Sequence, residues 1–393
     1  MASSLSYSPP PGQFSPRFWA LIGATFLGFV GMGTVLPALA PHVRYDLGGS
    51  DRTVGFVIGI FSVVALCSRL FSGPLADGRG RKVAFLTGLG SCTIAGAIYL
   101  LPLGLTGIWI GRCFQGLGEA CLYTGAATWA VELAGTERSA QALGYLSSGI
   151  WGGLSAGPVV GQWLVTFHRA ALFQVLAAGI AFLILTQVPE HFTPHQDGGT
   201  FKWPSRALLM PGLAVGFVNV HYPVITGFLV LHLARYGNSG KMAFTAYAGA
   251  MLCSRFFLGG LPDRVHPRVT YYFGLTAMAV GLLVLASGPR PAVAIAAAAL
   301  LGLGFSFPFS SIASTVMRRA PDHERGATVG ILSAFYDFFV GSGSFAAGAI
   351  SHNFGYPAAF VMAAVALLAS ATAAWFVLPS AANRSLLQPI NEE

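Results

Sequence analysis

Glu119 stands seven residues after Arg112, two helical turns on, so both side chains project from nearly one face, where Gln115 and Tyr123 join them at four-residue spacing from Glu119. The run around them is apolar. A carboxylate at mid-membrane costs several kcal/mol unless it is paired or protonated. Glu119 is therefore a candidate proton carrier with Arg112 as its modulator; the alternative is a structural pair that locks helix packing. Asp337, in Tyr336-Asp337, is a second acid within an apolar run, and either relays protons or holds a helix bend. A third acid, Asp77, lies in the densest polar segment of the first half, Gly73-Pro74-Leu75-Ala76-Asp77-Gly78-Arg79-Gly80-Arg81-Lys82. At a helix end it can pair with Arg79, with Arg81 or with a positive helix N-terminus. Contacts of that kind, made in one conformation and broken in another, suit a gate.

These residues need a membrane to be unusual, and the composition supplies one. Of 393 residues 9% are charged and 54% hydrophobic, against about 25% charged in soluble domains. A segment of about 20 apolar residues crosses the hydrocarbon as a helix, because its backbone polar groups must be satisfied internally. Such runs fall near 18–40, 53–76, 83–103, 106–130, 140–163 and 168–188, then near 207–233, 242–262, 269–288, 291–317, 326–350 and 356–379. The sequence thus predicts twelve transmembrane helices, flanked by a disordered tail over 1–16 and a tail over 380–393, with a cytoplasmic linker over 189–206. The expected domains are two six-helix bundles, 17–188 and 207–379.

The formal charge of +8 is spread one to three residues per loop rather than massed on one polar domain, which argues against a nucleic-acid surface. With both ends cytoplasmic, inner loops and tails carry roughly twice the basic residues of the outer ones, as the positive-inside rule requires. Cys67, Cys92, Cys113, Cys121 and Cys253 sit inside apolar runs without metal-ligand spacing and read as packing residues. His221 and His232 are isolated, so no metal site is expected there. Walker, nucleophile-elbow, His-Glu-x-x-His and EF-hand patterns are missing. No enzyme, cofactor or ATP-driven pump is implied.

Two halves repeat. Cys67-Ser68-Arg69 recurs as Cys253-Ser254-Arg255, and at the same offset Gly73 falls on Gly259, Leu75 on Leu261, Asp77 on Asp263, Lys82 on Arg268 and Gly144 on Gly330. Repeats of this kind supply two rocking bodies with a binding site at their interface. Asn219, Tyr222 and Thr226, spaced around Pro223, with Phe305 and Tyr336, would suit the aromatic, sparsely polar wall of such a site, as would Gln115 and Tyr123.

Three of these motifs resemble the major facilitator superfamily. Gly73 to Lys82 is similar to its Gly-x-Leu-Ala-Asp-Arg-x-Gly-Arg-Arg/Lys loop, departing at Gly78, and Arg112 to Gly118 to its Arg-x-x-Gln-Gly-x-Gly pattern. Gly144, Gly153, Gly157-Pro158 and Gly161 resemble Gly-x8-Gly-x3-Gly-Pro-x2-Gly-Gly, a motif chiefly of exporters in the drug and proton antiporter branch, departing at Gln162. The resemblance implies an all-α integral membrane fold of two pseudo-symmetric bundles in a bacterial inner membrane, and a monomer. Its implied activity is proton-coupled efflux of a small organic compound. Glu119, Arg112 and Asp337 would couple protons. Gly73, Asp77, Arg79, Gly80, Arg81, Lys82 and Asp263 would gate, and the helix around Gly157-Pro158 would be the hinge. Uptake of a vitamin-like aromatic solute through the same fold, or a non-transporting receptor, are the competing expectations.

Overall fold

The computed structural model describes residues 14–135, 138–164, 166–190, 206–237, 240–258, 265–319 and 325–379. The tails and the linker lie almost wholly outside these residues, and Asp263 with Gly259 and Leu261 lies outside them too. The described chain is helical: α1 Pro16–Pro41, α2 Asp51–Arg79, α3 Arg81–Tyr99, α4 Gly104–Ala134, α5 Ser139–Leu164 and α6 Phe167–Thr186. Then come α7 Arg206–Asn219, α8 His221–Ala234, α9 Gly240–Leu258, α10 Pro267–Ala286, α11 Pro291–Arg319, α12 Arg325–Phe354 and α13 Tyr356–Trp375. Because α7 and α8 follow one another across Val220 alone, they replace a single run, and the fold has twelve transmembrane helices.

Among the described residues, eight segments are long and apolar enough to cross a membrane. Those that fall short are α4, α5, α9 and α12. Three of them carry the candidate charges: Arg112 and Glu119 on α4, Arg255 on α9 and Asp337 on α12. The fourth, α5, carries the glycine motif. Charged side chains lower the hydropathy of the first three, and such groups are expected to face protein rather than lipid.

The sequence repeat is a structural one. At the offset that relates Arg69 to Arg255, the start of α3 at Arg81 falls on Pro267, the start of α10, and the start of α5 at Ser139 falls on Arg325, the start of α12. The helix crossings repeat as well. A Cβ at Gly88 would lie 2.8 Å from the carbonyl oxygen of Gly118, and one at Gly274 would lie 2.7 Å from that of Gly304, the same two positions in the second copy. Small residues at such crossings let two backbones touch, which is how membrane helices gain packing energy where no hydrophobic effect drives them together. Accordingly α3 packs on α4 and α6, as α10 packs on α11 and α13.

Among the described residues, the repeat departs at the first helix of the second copy. Thr34 of α1 donates its hydroxyl to the carbonyls of Gly31 (2.7 Å) and Ala170 (3.3 Å), and α1 runs through unbroken. Its counterpart in the second copy is Val220, where the helix breaks. Pro223 is the cause: it has no N–H for the carbonyl of Asn219 and its ring crowds that carbonyl. Side chains add hydrogen bonds beside the break, with Asn219 Nδ2 donating to Val215 O at 2.7 Å and His221 Nδ1 to Val218 O at 2.6 Å.

The chain divides into two compact units, and the division does not follow the sequence halves. One holds the chain to Ala38 and from Val63 through α6; the other holds Leu39–Ser62 together with everything from α7 onward. In the first, Phe18, Leu21 and Phe29 of α1, Phe85 of α3, Leu122 and Trp129 of α4, and Leu146 of α5 close a common core. In the second, the start of α2 is laced to the end of the chain. Gly55 and Gly348 are in backbone contact and Ser344 donates to Gly55 O at 2.7 Å. Asp51, 7% exposed, accepts from the Tyr356 hydroxyl at 2.9 Å and pairs with Arg44 at 3.5 Å, while Arg235 lies 4.1 Å over the Tyr356 ring.

Candidate functional site

The carboxylate of Glu119 meets a cation that spacing along α4 could not reveal. Arg69 of α2 approaches both its oxygens at 3.4 Å, and the guanidinium lies 5.1 Å over the ring of Tyr123, one turn further along α4. Both charged side chains keep 14% of their surface exposed. The pair is thus largely, but not wholly, enclosed by the helices around it. Beside it Ser72 and Thr124 share a hydrogen bond of 2.9 Å, a second polar link between the two helices.

Arg112 and Gln115 enter a further, deeper arrangement. Arg112 is 3% exposed and donates to Gln115 Oε1 at 2.6 Å; the Tyr99 hydroxyl donates to the same oxygen at 3.1 Å. Gln115 Nε2 reaches Gln174 Oε1 at 3.3 Å and Met32 O at 3.5 Å, and Gln174 Nε2 donates to Cys92 O at 2.8 Å. Sequence spacing groups Gln115 with a substrate wall, whereas the structure sets it at the centre of a buried polar network joining α1, α3, α4 and α6. Such a network fixes helix positions because each amide is satisfied in one geometry.

The segment from Gly73 to Lys82 is more helical than its composition suggests. α2 continues through Pro74 to Arg79, and the break is the single residue Gly80, whose φ of +113° lies where side chains with a Cβ are strained. Asp77 and Arg79 are exposed. Arg81 forms an ion pair with Glu132 at the end of α4. The positive N-terminus of α3 is met by Glu190, which accepts from the backbone N–H of Arg81 (2.7 Å) and Lys82 (3.1 Å). Lys82 Nζ in turn donates to the last carbonyls of α6 and just beyond it, Thr186 O at 2.8 Å and Val188 O at 2.7 Å. The sequence reading named the cations and missed both acids. The signal was that α3 opens on two bases with no acid of its own, so a carboxylate from elsewhere had to cover its N-terminus.

The α5 motif is a packing surface against α1. Pro158 is inside the helix, and Gly153, Gly157 and Gly161 lie against Phe26, Gly33 and Thr34 respectively, backbone on backbone. Gly144, the first glycine of the motif, faces open space.

In the second unit the expected wall residues gather around the break between α7 and α8. His221 is fully buried, its ring centroid 4.5 Å from that of Phe305. Since a carbonyl only accepts, Nδ1 carries the proton given to Val218 O, and Nε2 faces the Tyr247 hydroxyl at 3.1 Å. Tyr222 and Tyr336 face each other at 6.5 Å, and Asp337, next in the chain to Tyr336, is 2% exposed. Thr226 bonds back to Tyr222 O at 2.9 Å. Arg255 lies 5.9 Å over the Phe305 ring and interacts electrostatically with Tyr247 and Tyr336. No group of three or more metal-ligating side chains occurs among the described residues.

Comparison with known proteins fits this fold. The chain is 28% identical over 378 residues to an uncharacterised MFS-type transporter of Salmonella typhimurium (strain LT2), covering 93% of this chain and 97% of that protein. A mutant of the nucleoside transporter NupG superposes with a TM-score of 0.74 at 12% identity, over 92% of this chain and all of that one. The D-xylose–proton symporter superposes equally well, with a TM-score of 0.74 at 13% identity over 92% of this chain and 98% of its own. The sequence profile of the Major Facilitator Superfamily matches twice, over residues 21–239 and 213–391, once for each half of the repeat. With the profile spanning both halves and the helices arranged as they are, the chain belongs to the Major Facilitator Superfamily of membrane transporters.

Proposed function

We propose that this transporter exports a small organic compound in exchange for protons, and that Glu119 carries the proton. The observation behind this reading is the partly exposed Arg69–Glu119 pair between α2 and α4. Ionised, Glu119 holds Arg69 and ties the two helices. Protonated, it releases the arginine, so proton occupancy is converted into a change in how α2 and α4 are held. The spacing of glycines and Gly157-Pro158 on α5, which resembles that of drug and proton antiporters, supports export. In this reading the protein sits in a bacterial inner membrane with both termini in the cytoplasm, and the monomer is the working unit. The test uses inside-acid, inside-out vesicles with a fluorescent pH probe. Addition of an exported compound from a panel of aromatic acids, amines and neutral analogues should dissipate the gradient only when the protein is present. No response to any compound would remove the reading.

The gate follows from the same logic. Asp77 forms no ion pair among the described residues, while Arg81 is held by Glu132 and the α3 N-terminus by Glu190. Asp77 takes its partner in the opposite conformation of the cycle. Asp77→Asn should then lower turnover at least about five-fold, the small end of a conformational coupling energy. It should leave thermal stability in this conformation unchanged; unaltered turnover would show that Asp77 plays no part in the gate.

A further inference from the structure

The two repeats treat the same arginine differently. In the first, Arg69 meets the carboxylate of Glu119 and lies over the ring of Tyr123. Carrying the Arg69–Glu119 pair through the repeat gives Arg255 and Phe305, which are again in contact, the guanidinium 5.9 Å over the ring. The cation is retained and the residue in the carboxylate's place is an aromatic ring. Around it stand groups that would cradle a flat anion. The His221 ring is edge-on to Phe305, the Tyr247 hydroxyl is tied to His221, and the hydroxyls of Tyr247 and Tyr336 are within electrostatic reach of Arg255. Tyr222 completes the set through its contact with Tyr336. All lie within one compact unit, on α8, α9, α11 and α12.

We propose that this cluster binds the exported compound and that the compound is an aromatic carboxylate, its carboxylate taking on Arg255 the place that Glu119 takes on Arg69. The proposal rests on the transporter reading for its purpose, but the binding chemistry is independent of proton coupling. A guanidinium offers a planar fork that matches a carboxylate with two parallel hydrogen bonds, and in a site walled by rings that match is little weakened by water. Phe305, His221 and the tyrosines supply edges and faces for an aromatic body, and phenol hydroxyls can donate to the outer oxygens. An organic cation would meet Arg255 as a like charge. Asp337, next to Tyr336 on α12 and 2% exposed, is the acid that adjoins this cluster in the chain.

The test is equilibrium binding to the purified full-length protein in lipid nanodiscs, with no gradient across any membrane. The probes are 2-naphthoate, its neutral isostere 2-naphthamide and the cation 2-naphthylmethylammonium. The wild type should bind naphthoate at least about 10-fold more tightly than the amide, the range of a charge-assisted hydrogen bond, and the ammonium most weakly. Arg255→Gln should erase the preference for naphthoate while weak binding of the amide persists. Arg255→Lys should retain part of the preference, and Arg69→Gln all of it. Phe305→Glu, which restores the first repeat's carboxylate, should erase it with the arginine still in place. Asp337→Asn should keep or strengthen it. Equal binding of acid and amide, tightest binding of the ammonium, no binding of any probe, a preference that survives Arg255→Gln, or its loss in Asp337→Asn would each overturn the proposal. If naphthoate binds as described but never dissipates a proton gradient in vesicles, the site stands and the exporter reading fails; a proton response to amines alone, without naphthoate binding, does the reverse.

Discussion

Glu119→Gln should reduce proton-driven accumulation about 100-fold or more, the low end of what a positioned proton-transfer group contributes, while exchange of the same compound without a gradient continues. Glutamine keeps the size of glutamate and can still accept a hydrogen bond from Arg69, which lies 3.4 Å from both carboxylate oxygens. What it cannot do is change charge. The variant is therefore fixed in the state in which Arg69 is no longer bound by an ion pair to this residue, and a full cycle that depends on loading and unloading a proton stops. Exchange needs only the substrate-loaded half of the cycle. The measurement is uptake into proteoliposomes under an imposed pH difference, against counterflow at equal pH. If Glu119 served only to lock α2 on α4, accumulation and counterflow would fall together and the melting temperature with them. Unchanged accumulation would take Glu119 out of the mechanism.

Gly161→Val should destabilise the detergent-solubilised protein by about 1–3 kcal/mol, the cost of forcing extra carbons into a packed interface, and Gly144→Val should not. The two substitutions make the same chemical change on one helix, so they share the same helix-propensity term and differ in surroundings. A Cβ at Gly161 would fall on the carbonyl of Thr34, and one at Gly157 would come within 2.6 Å of the Gly33 Cα. At Gly144 nothing lies within 4 Å. The readout is thermal unfolding followed by intrinsic fluorescence. Equal losses at the two positions would mean that the motif acts through the flexibility of α5 rather than through its contact with α1. That result would favour the hinge reading which spacing alone suggests.

Both predictions begin in residues that the sequence made visible and end in partners that it did not. Glu119 was conspicuous as an acid inside an apolar run, but helical periodicity orders residues around one helix and says nothing of which helix they meet. Arg112 and Gln115 share its face along α4, yet their hydrogen bonds with Tyr99, Gln174 and Met32 tie them into a buried network of helix contacts. Arg69, from a different helix, is a cation on the carboxylate. The clue lay in the repeat: Arg69 has a copy at Arg255, and an arginine kept in the middle of two apolar runs needs a reason. The break at Val220 was likewise half visible. Pro223 lay in plain view within a run read as one helix, but the bonds of Asn219 and His221 to the Val215 and Val218 carbonyls beside the break were not legible.

By itself the sequence determined the number and order of the helices, their family and the twofold repeat. The bilayer leaves no alternative to helices whose backbone bonds close within each run, and a copied unit must carry its helix crossings with it. Gly88 with Gly118 and Gly274 with Gly304 are that inheritance. Only the tertiary structure decided which charges meet: Arg69 with Glu119, Arg81 with Glu132, Glu190 on the N-terminus of α3, and Asp51 with Tyr356. Each of these joins different helices or a helix to a distant loop, and their approach is set by the close packing of small residues, a property of pairs of surfaces that no single run of sequence contains.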